Sequence, residues 1–322
     1  MEVKKLFSGI AVIIDNEVDK KETPIYKIRT NIVNSNIPVV AYNSIPSAET
    51  VESLKYVSFI ILDWNFWDEP IAESEEILMG LLGASELKKQ QEEELIKFIK
   101  LLLSELFVPI FVFSGVDIGE VEDILSEEGL YNKGKANRIF VKSKSEVESE
   151  EQLFQCIEEW LTKMPSIYAM KEWDSVFQKT KNKMFREWHQ YAPQWVSVIW
   201  NMLKEDSSEV QDEFGEFLTR NIVNRIQEFH FEEALFKLEG KNDVGELRKV
   251  IERERYIEYQ DNIPDQAYTG DLFKDNDTYY LNIRAQCDLA RKVSDGELRE
   301  TQTANYFSKL YPIDCAVPSV DA

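Results

Sequence analysis

The sequence predicts an α/β protein: an open parallel sheet of five strands with helices on both faces, followed by a mostly α-helical second domain. Three observations predict it. Five short β-rich runs alternate with helical patterns through the first half of the chain. Those runs are apolar nearly throughout, the pattern of strands buried on both faces. Beyond Met164-Pro165 the apolar spacing becomes helical, and it stays so for roughly a hundred residues.

The first strand is Gly9-Ile-Ala-Val-Ile-Ile14, which runs into Asp15-Asn16-Glu17. It follows a Lys pair but has no small-residue cleavage site, so it reads as a strand and not as a leader. Ile25, Ile28 and Ile32 place a covering helix over 23–34, and Pro38-Val-Val-Ala-Tyr42 is the second strand. A short helix over 48–54 leads to the third strand, Val57-Ser-Phe-Ile-Ile-Leu62, which ends on Asp63. The connection 64–108 is longer than one crossover needs. It holds two helical patterns, 74–82 and 85–107, and reads as a helical insertion. Pro109-Ile-Phe-Val-Phe113 is the fourth strand, running into Ser114-Gly115, with a helix over 119–128 behind it. Arg138-Ile-Phe-Val141 is the fifth, running into Lys142, and a Glu-rich helix over 145–163 closes the domain. The domains are therefore 1–163 and 164–322, the second carrying a β element around 268–290 built on a hairpin over 271–283.

The formal charge of −22 argues against a surface that tracks nucleic-acid phosphates or anionic membrane, both of which need clustered Lys and Arg. Three scattered cysteines (Cys156, Cys287, Cys315) make neither a disulfide framework nor a zinc site. Only His189 and His230 occur, too few for a histidine metal centre, and each lies on an aromatic-rich helical pattern. Cys287-Asp288 reads as a thiol with no histidine nearby in sequence to activate it. Glu73, Glu75 and Glu76 offer a basic partner a docking point. No stretch is apolar long enough to span a bilayer, so a soluble, cytoplasmic protein is expected.

The chemistry is expected at the carboxyl ends of the strands, where open α/β sheets collect ligands. Right-handed crossovers in the order 2-1-3-4-5, the flavodoxin-like arrangement, set the first and third strands side by side. Asp15 and Asp63 then share one crevice, flanked by Ser114 and Lys142. Two or three acidic oxygens from Asp15, Glu17 and Asp63 suit Mg²⁺, a hard cation that keeps part of its water shell. A carboxylate there can accept a phosphoryl group, the Ser114 hydroxyl can donate to it, and Lys142 can meet it as a point charge.

This ordered set resembles the receiver domain of bacterial response regulators over residues 6 to about 162, half the chain. The resemblance implies Mg²⁺ at Asp15 with Asn16 or Glu17, phosphorylation of Asp63, and reading of the phosphate by Ser114 and Lys142. Asn16 departs from the usual acidic pair, Ser143 from the usual proline, and Ile139 from the usual aromatic. The aromatic loop Asp63-Trp-Asn-Phe-Trp67 and the long insertion are similar to the divergent receivers of bacterial conflict and antiphage systems. The implied function is two-component-type signalling through a protein partner, a kinase or an ATPase, with a homodimer left open. The implied protein is a phosphoacceptor and not a turnover enzyme. Three alternatives remain open: a pseudo-receiver whose lysine neutralises the aspartates permanently, a Mg²⁺-dependent phosphohydrolase using Asp15, Glu17 and Asp63, and an activity seated wholly in the C-terminal half.

Overall fold

The computed structural model describes residues 3–65, 84–133, 136–206, 210–226, 229–236, 244–255, 270–275, 278–283, 293–294, 297–298 and 307–310. The elements of the first half are α1 (Val3–Leu6), β1 (Ala11–Ile14), α2 (Pro24–Asn34), β2 (Val39–Tyr42), α3 (Ala48–Ser53), β3 (Phe59–Asp63), α4 (Ala84–Glu105), β4 (Ile110–Ser114), α5 (Ile118–Glu127), β5 (Ile139–Ser143) and α6 (Glu150–Leu161). The five strands form one parallel sheet in the order β2-β1-β3-β4-β5, as expected. Of the long insertion, the helical pattern 85–107 is α4; the pattern 74–82 and Glu73, Glu75 and Glu76 lie outside the described residues.

Strand alternation explains why the strands are apolar on nearly every residue. Ala11, Ile13, Phe59, Ile61, Phe111 and Phe113 face a core closed by α1, α2 and α6. Val12, Ile14, Ile60, Leu62, Ile110 and Val112 face a second core closed by α3, α4 and α5. Each buried Val, Leu, Ile or Phe side chain among them contributes about 1.5–3 kcal/mol relative to exposure. Phe111 is the hub of the first core, with the rings of Phe7, Phe59, Phe113, Phe140 and Trp160 centred 5.3–6.1 Å away.

Helix starts are fixed locally. Thr23 caps α2 by accepting the Tyr26 N–H, and Pro24 supplies the first helical residue. Ser149 and Gln152 form a reciprocal capping box on α6. The turn into β1 needs Gly9, whose φ of +128° is left-handed and whose missing Cβ would lie 3.2 Å from Ser58 Cβ.

The chain divides into two compact units, Met1–Val198 with Phe214–Lys237, and Ile199–Glu213 with Leu238–Ala322. The Met164-Pro165 break expected to separate the domains is a helix start and not the edge of the first unit. Pro165 opens α7 (Pro165–Tyr191), and Met164, Ile167 and Tyr168 sit in the first core. Leu235 joins them there, and Glu232 N–H donates to Tyr168 Oη at 2.8 Å. The first unit also contains Trp195, from the start of α8 (Trp195–Asp206), and Phe214 and Phe217 from α9 (Val210–Val223). Their rings surround Trp188 of α7, Trp195 and Phe217 directly and Phe214 through both. His189 lies in the last turn of α7.

The second unit contains α10 (Val244–Arg255) and a three-stranded antiparallel sheet in the order β10-β7-β6. Its strands are β6 (Leu272–Asp275), β7 (Thr278–Asn282) and β10 (Phe307–Leu310); β8 (Val293–Ser294) and β9 (Glu297–Leu298) pair separately. The hairpin expected over 271–283 is β6–β7; β10 carries no such signal in sequence. Cys287 and Cys315 lie outside the described residues. Among the described residues no helix is long and apolar enough to cross a membrane.

One turn beyond the core residues of α7, Lys171 is buried against the sheet. It donates to the carbonyl of Ser58 and to Ser58 Oγ, and its ammonium lies 5.6 Å from the centre of the Phe7 ring. Burial pulls its pKa down to about 8, Asp174 opposing weakly. Because the folded chain gives up this proton more readily than the unfolded chain, the ammonium opposes folding below pH 8. That opposition fades as pH rises towards 10.5. Relative to Lys171→Met, the wild type should therefore gain stability between these pH values, by up to about 3 kcal/mol. Urea midpoints across that range test this, and parallel pH profiles for the two proteins would contradict it.

Candidate functional site at the strand ends

Three strand-end side chains are pinned in the same way. Asp15, one residue past β1, accepts the Glu17 N–H on Oδ1 at 2.7 Å. Asp63, the last residue of β3, accepts the Asn65 N–H on Oδ1 at 3.0 Å. Ser114, the last residue of β4, accepts the Val116 N–H on Oγ at 3.0 Å. In each case the side chain bonds the backbone two residues on, the local turn that Asp and Ser favour where a strand gives way to a loop. The register of β1 on β3 (Ala11 opposite Phe59) brings the two carboxylates together.

The cation between them is Lys144, not the expected Lys142. Its Nζ lies 2.9 Å from Asp15 Oδ2 and 3.0 Å from Asp63 Oδ2. Lys142 is still within β5, opposite Phe113, and its ammonium meets Glu146 Oε1 at 3.4 Å beside the site. The reason lies in where β5 ends. The ladder runs on to Ser143, opposite Ser114, and a single 3₁₀ turn over Lys144–Glu146 follows. Lys144 is thus the first residue past β5, as Asp15 is the first past β1. Ser143 is tied into that turn by Glu146 Oε2, which accepts its N–H at 3.3 Å, and by a 2.9 Å contact with Ser145 Oγ.

The triad is out of solvent: Asp15 is 0%, Asp63 2% and Lys144 8% exposed. One ammonium cannot balance two buried carboxylates. Burial pushes the Asp63 carboxyl up; Lys144 pulls it down, Asp15 pushes it up again, and the result is about 7. For Lys144, burial favours the neutral amine, but the two aspartates outweigh it and hold the ammonium above the ordinary lysine value.

Above Asp63 opens a cleft of about 260 Å³, lined by Glu17, Pro24, Asp63, Asn65, Gly115, Ser143, Lys144, Ser145 and Glu148. Ser114 is fully buried and does not line it, although its neighbour Gly115 does. Glu17 lines the rim, with its carboxylate 3.8 Å from Lys20. Trp64, the first of the loop aromatics, is buried in the second core; Phe66 and Trp67 lie outside the described residues.

Two of the expected site residues are in direct contact with one cation, Asp15 and Asp63. Ser114 is on the neighbouring strand, Glu17 is at the rim, and Lys142 is turned to Glu146. A hard divalent cation needs several open oxygens at once. Here both Oδ1 atoms accept backbone N–H groups and both Oδ2 atoms face Lys144. Among the described residues no three metal-ligating side chains converge. As arranged, the donor set does not fit Mg²⁺ while Lys144 lies between the carboxylates.

No protein-family model matches the chain, and no curated protein matches it.

Proposed function

We propose that the chain is a regulatory protein whose first unit is a receiver-like domain acting as a phosphorylation-independent scaffold, and that it works by binding a protein partner over the cleft above Asp63. The observation that supports this most is the Lys144 ammonium, 2.9 Å from Asp15 and 3.0 Å from Asp63. It supplies from within the chain the positive charge that a bound cation would otherwise bring. With both carboxylates already paired to one internal ammonium, the loops carrying Glu17, Asn65, Gly115 and Ser145 keep one arrangement without a ligand. A fixed surface of that kind suits constitutive docking.

A second reading is favoured by one fact: Asp63 lines the cleft. In it a carboxylate oxygen of Asp63 attacks the phosphorus of an acyl phosphate. The bond from phosphorus to the donor's bridging oxygen breaks, and the carboxylate of the donor leaves with the electron pair. Lys144 then turns from the Asp63 carboxylate to a phosphoryl oxygen, and the loops above it shift population. The half-protonated state of Asp63 near pH 7 weakens it as a nucleophile.

Intact-mass spectrometry of the full chain separates the two readings, after incubation with acetyl phosphate and Mg²⁺ at pH 8 and with Asp63→Asn alongside. The scaffold reading predicts no added phosphoryl mass on either protein. An adduct on the wild type that Asp63→Asn lacks would overturn it and establish the phosphoacceptor.

A further inference from the structure

The charge is spread unevenly over this acidic chain. Residues 30–48 contain no Asp, Glu, Lys or Arg, although 30% of the sequence is charged and the formal net charge is −22. This uncharged segment comprises the last turns of α2, the whole of β2 and the loop beyond it. β2 is an outer strand of the sheet and pairs with β1 alone among the described residues. Sheet edges in soluble proteins are usually guarded by charge, above all by lysine, because an open edge pairs with other strands. The edge strand itself and the residues flanking it over 30–48 carry no such charge. Val33 on α2 is 51% exposed and Val40 in the middle of β2 is 42% exposed.

The backbone of β2 is also oriented for pairing. The carbonyls of Pro38 and Tyr42 accept the N–H groups of Ala11, in β1, and of Asp15, one residue past it. By the alternation of a parallel ladder, the even residues of β2 turn their peptide groups inward, and Val39 and Ala41 turn theirs to the open side.

We propose that this edge is a self-association surface, with β2 of one copy pairing antiparallel with β2 of a second copy about a two-fold axis at Val40. The occupant follows from charge. Two copies each carrying −22 repel over most of their surfaces, and the uncharged strip is where they can approach without like charges meeting. Symmetry supplies the register: Val39 faces Ala41 of the second copy, so both outward peptide groups of each strand are paired, and Val40 faces Val40. That central pair is of the non-hydrogen-bonded kind, with Cα atoms about 4.5 Å apart, close enough for the two valines to cover each other. The two sheets become one sheet of ten strands.

The test is sedimentation equilibrium of the full chain over a concentration series, with melting curves as a check on folding. Wild type should show a concentration-dependent monomer–dimer equilibrium. Val40→Lys and Val40→Glu should each be monomeric, because each sets like charges face to face on the axis, and an equimolar mixture of the two should associate again. Ala41→Pro removes an outward N–H from an edge strand, where proline is tolerated, and should also be monomeric. A wild type that stays monomeric overturns the proposal. So does a dimer that all three variants leave intact, or a Val40→Lys and Val40→Glu mixture that fails to associate. If either charged variant fails to fold, the Ala41→Pro result decides alone.

Discussion

Lys144→Ala should lower the stability of the first unit by about 3–5 kcal/mol, because it strands two buried carboxylates without their cation. Lys142→Ala should change it by no more than about 0.5 kcal/mol, since its partly exposed 3.4 Å contact with Glu146 is of the kind that contributes little. The contrast is the informative part. Two lysines separated by one serine, of which the sequence pointed to Lys142 alone, should differ several-fold in their effect on the urea midpoint. Coupling provides the control. Lys144→Ala made in an Asp63→Asn background should cost markedly less than in the wild type, as one of the stranded charges is already gone. If Lys142→Ala proves the more damaging of the two, the Asp15–Lys144–Asp63 triad is not the arrangement in solution.

Asp63→Asn should stabilise the protein at neutral and alkaline pH. The carboxyl holds its proton up to about pH 7 when folded, against an ordinary value of 3.8, because burial disfavours its charge. The stabilisation that comes from keeping this proton is complete below pH 3.8 and is lost as pH rises through 7. Asparagine stays neutral throughout. The stability of Asp63→Asn minus that of wild type should therefore be near zero around pH 4. It should grow across the interval and level off above pH 7 at a value on the order of 2–4 kcal/mol. Chemical denaturation at closely spaced pH values reads this directly. A difference that is flat, or that falls with pH, would show that Lys144 already over-compensates Asp63. The same substitution removes the candidate phosphoacceptor, so a stabilised variant unchanged in partner binding would fit the scaffold reading.

Much of the fold was open to reading because the three central strands, β1, β3 and β4, are buried on both faces. Runs such as Phe59–Leu62 and Ile110–Phe113 have no polar alternate residue, so their class and the parallel sheet could be read together. Asp15, Asp63 and Ser114 could be placed because each marks the carboxyl end of such a run. The lysine could not, because β5 does not announce its end: Lys142 and Ser143 continue the ladder although neither is apolar. The edge of the first compact unit could not be read for a related reason. Met164-Pro165 is a genuine local break, but whether the helix after it packs back on the sheet depends on Ile167, Tyr168 and the distant Leu235.

The sequence by itself determined the five-stranded parallel order and the two aspartates that meet at its crevice. Both follow from local apolar pattern and from the handedness of crossovers. The tertiary structure alone decided which lysine neutralises them, that Glu17 is held at the rim, and that the first helix beyond Pro165 belongs to the first unit. Those outcomes depend on side chains up to 129 residues apart competing for the same few ångströms. Such competition is settled by burial and Coulomb attraction in the assembled core, and neither leaves a periodic trace along the chain.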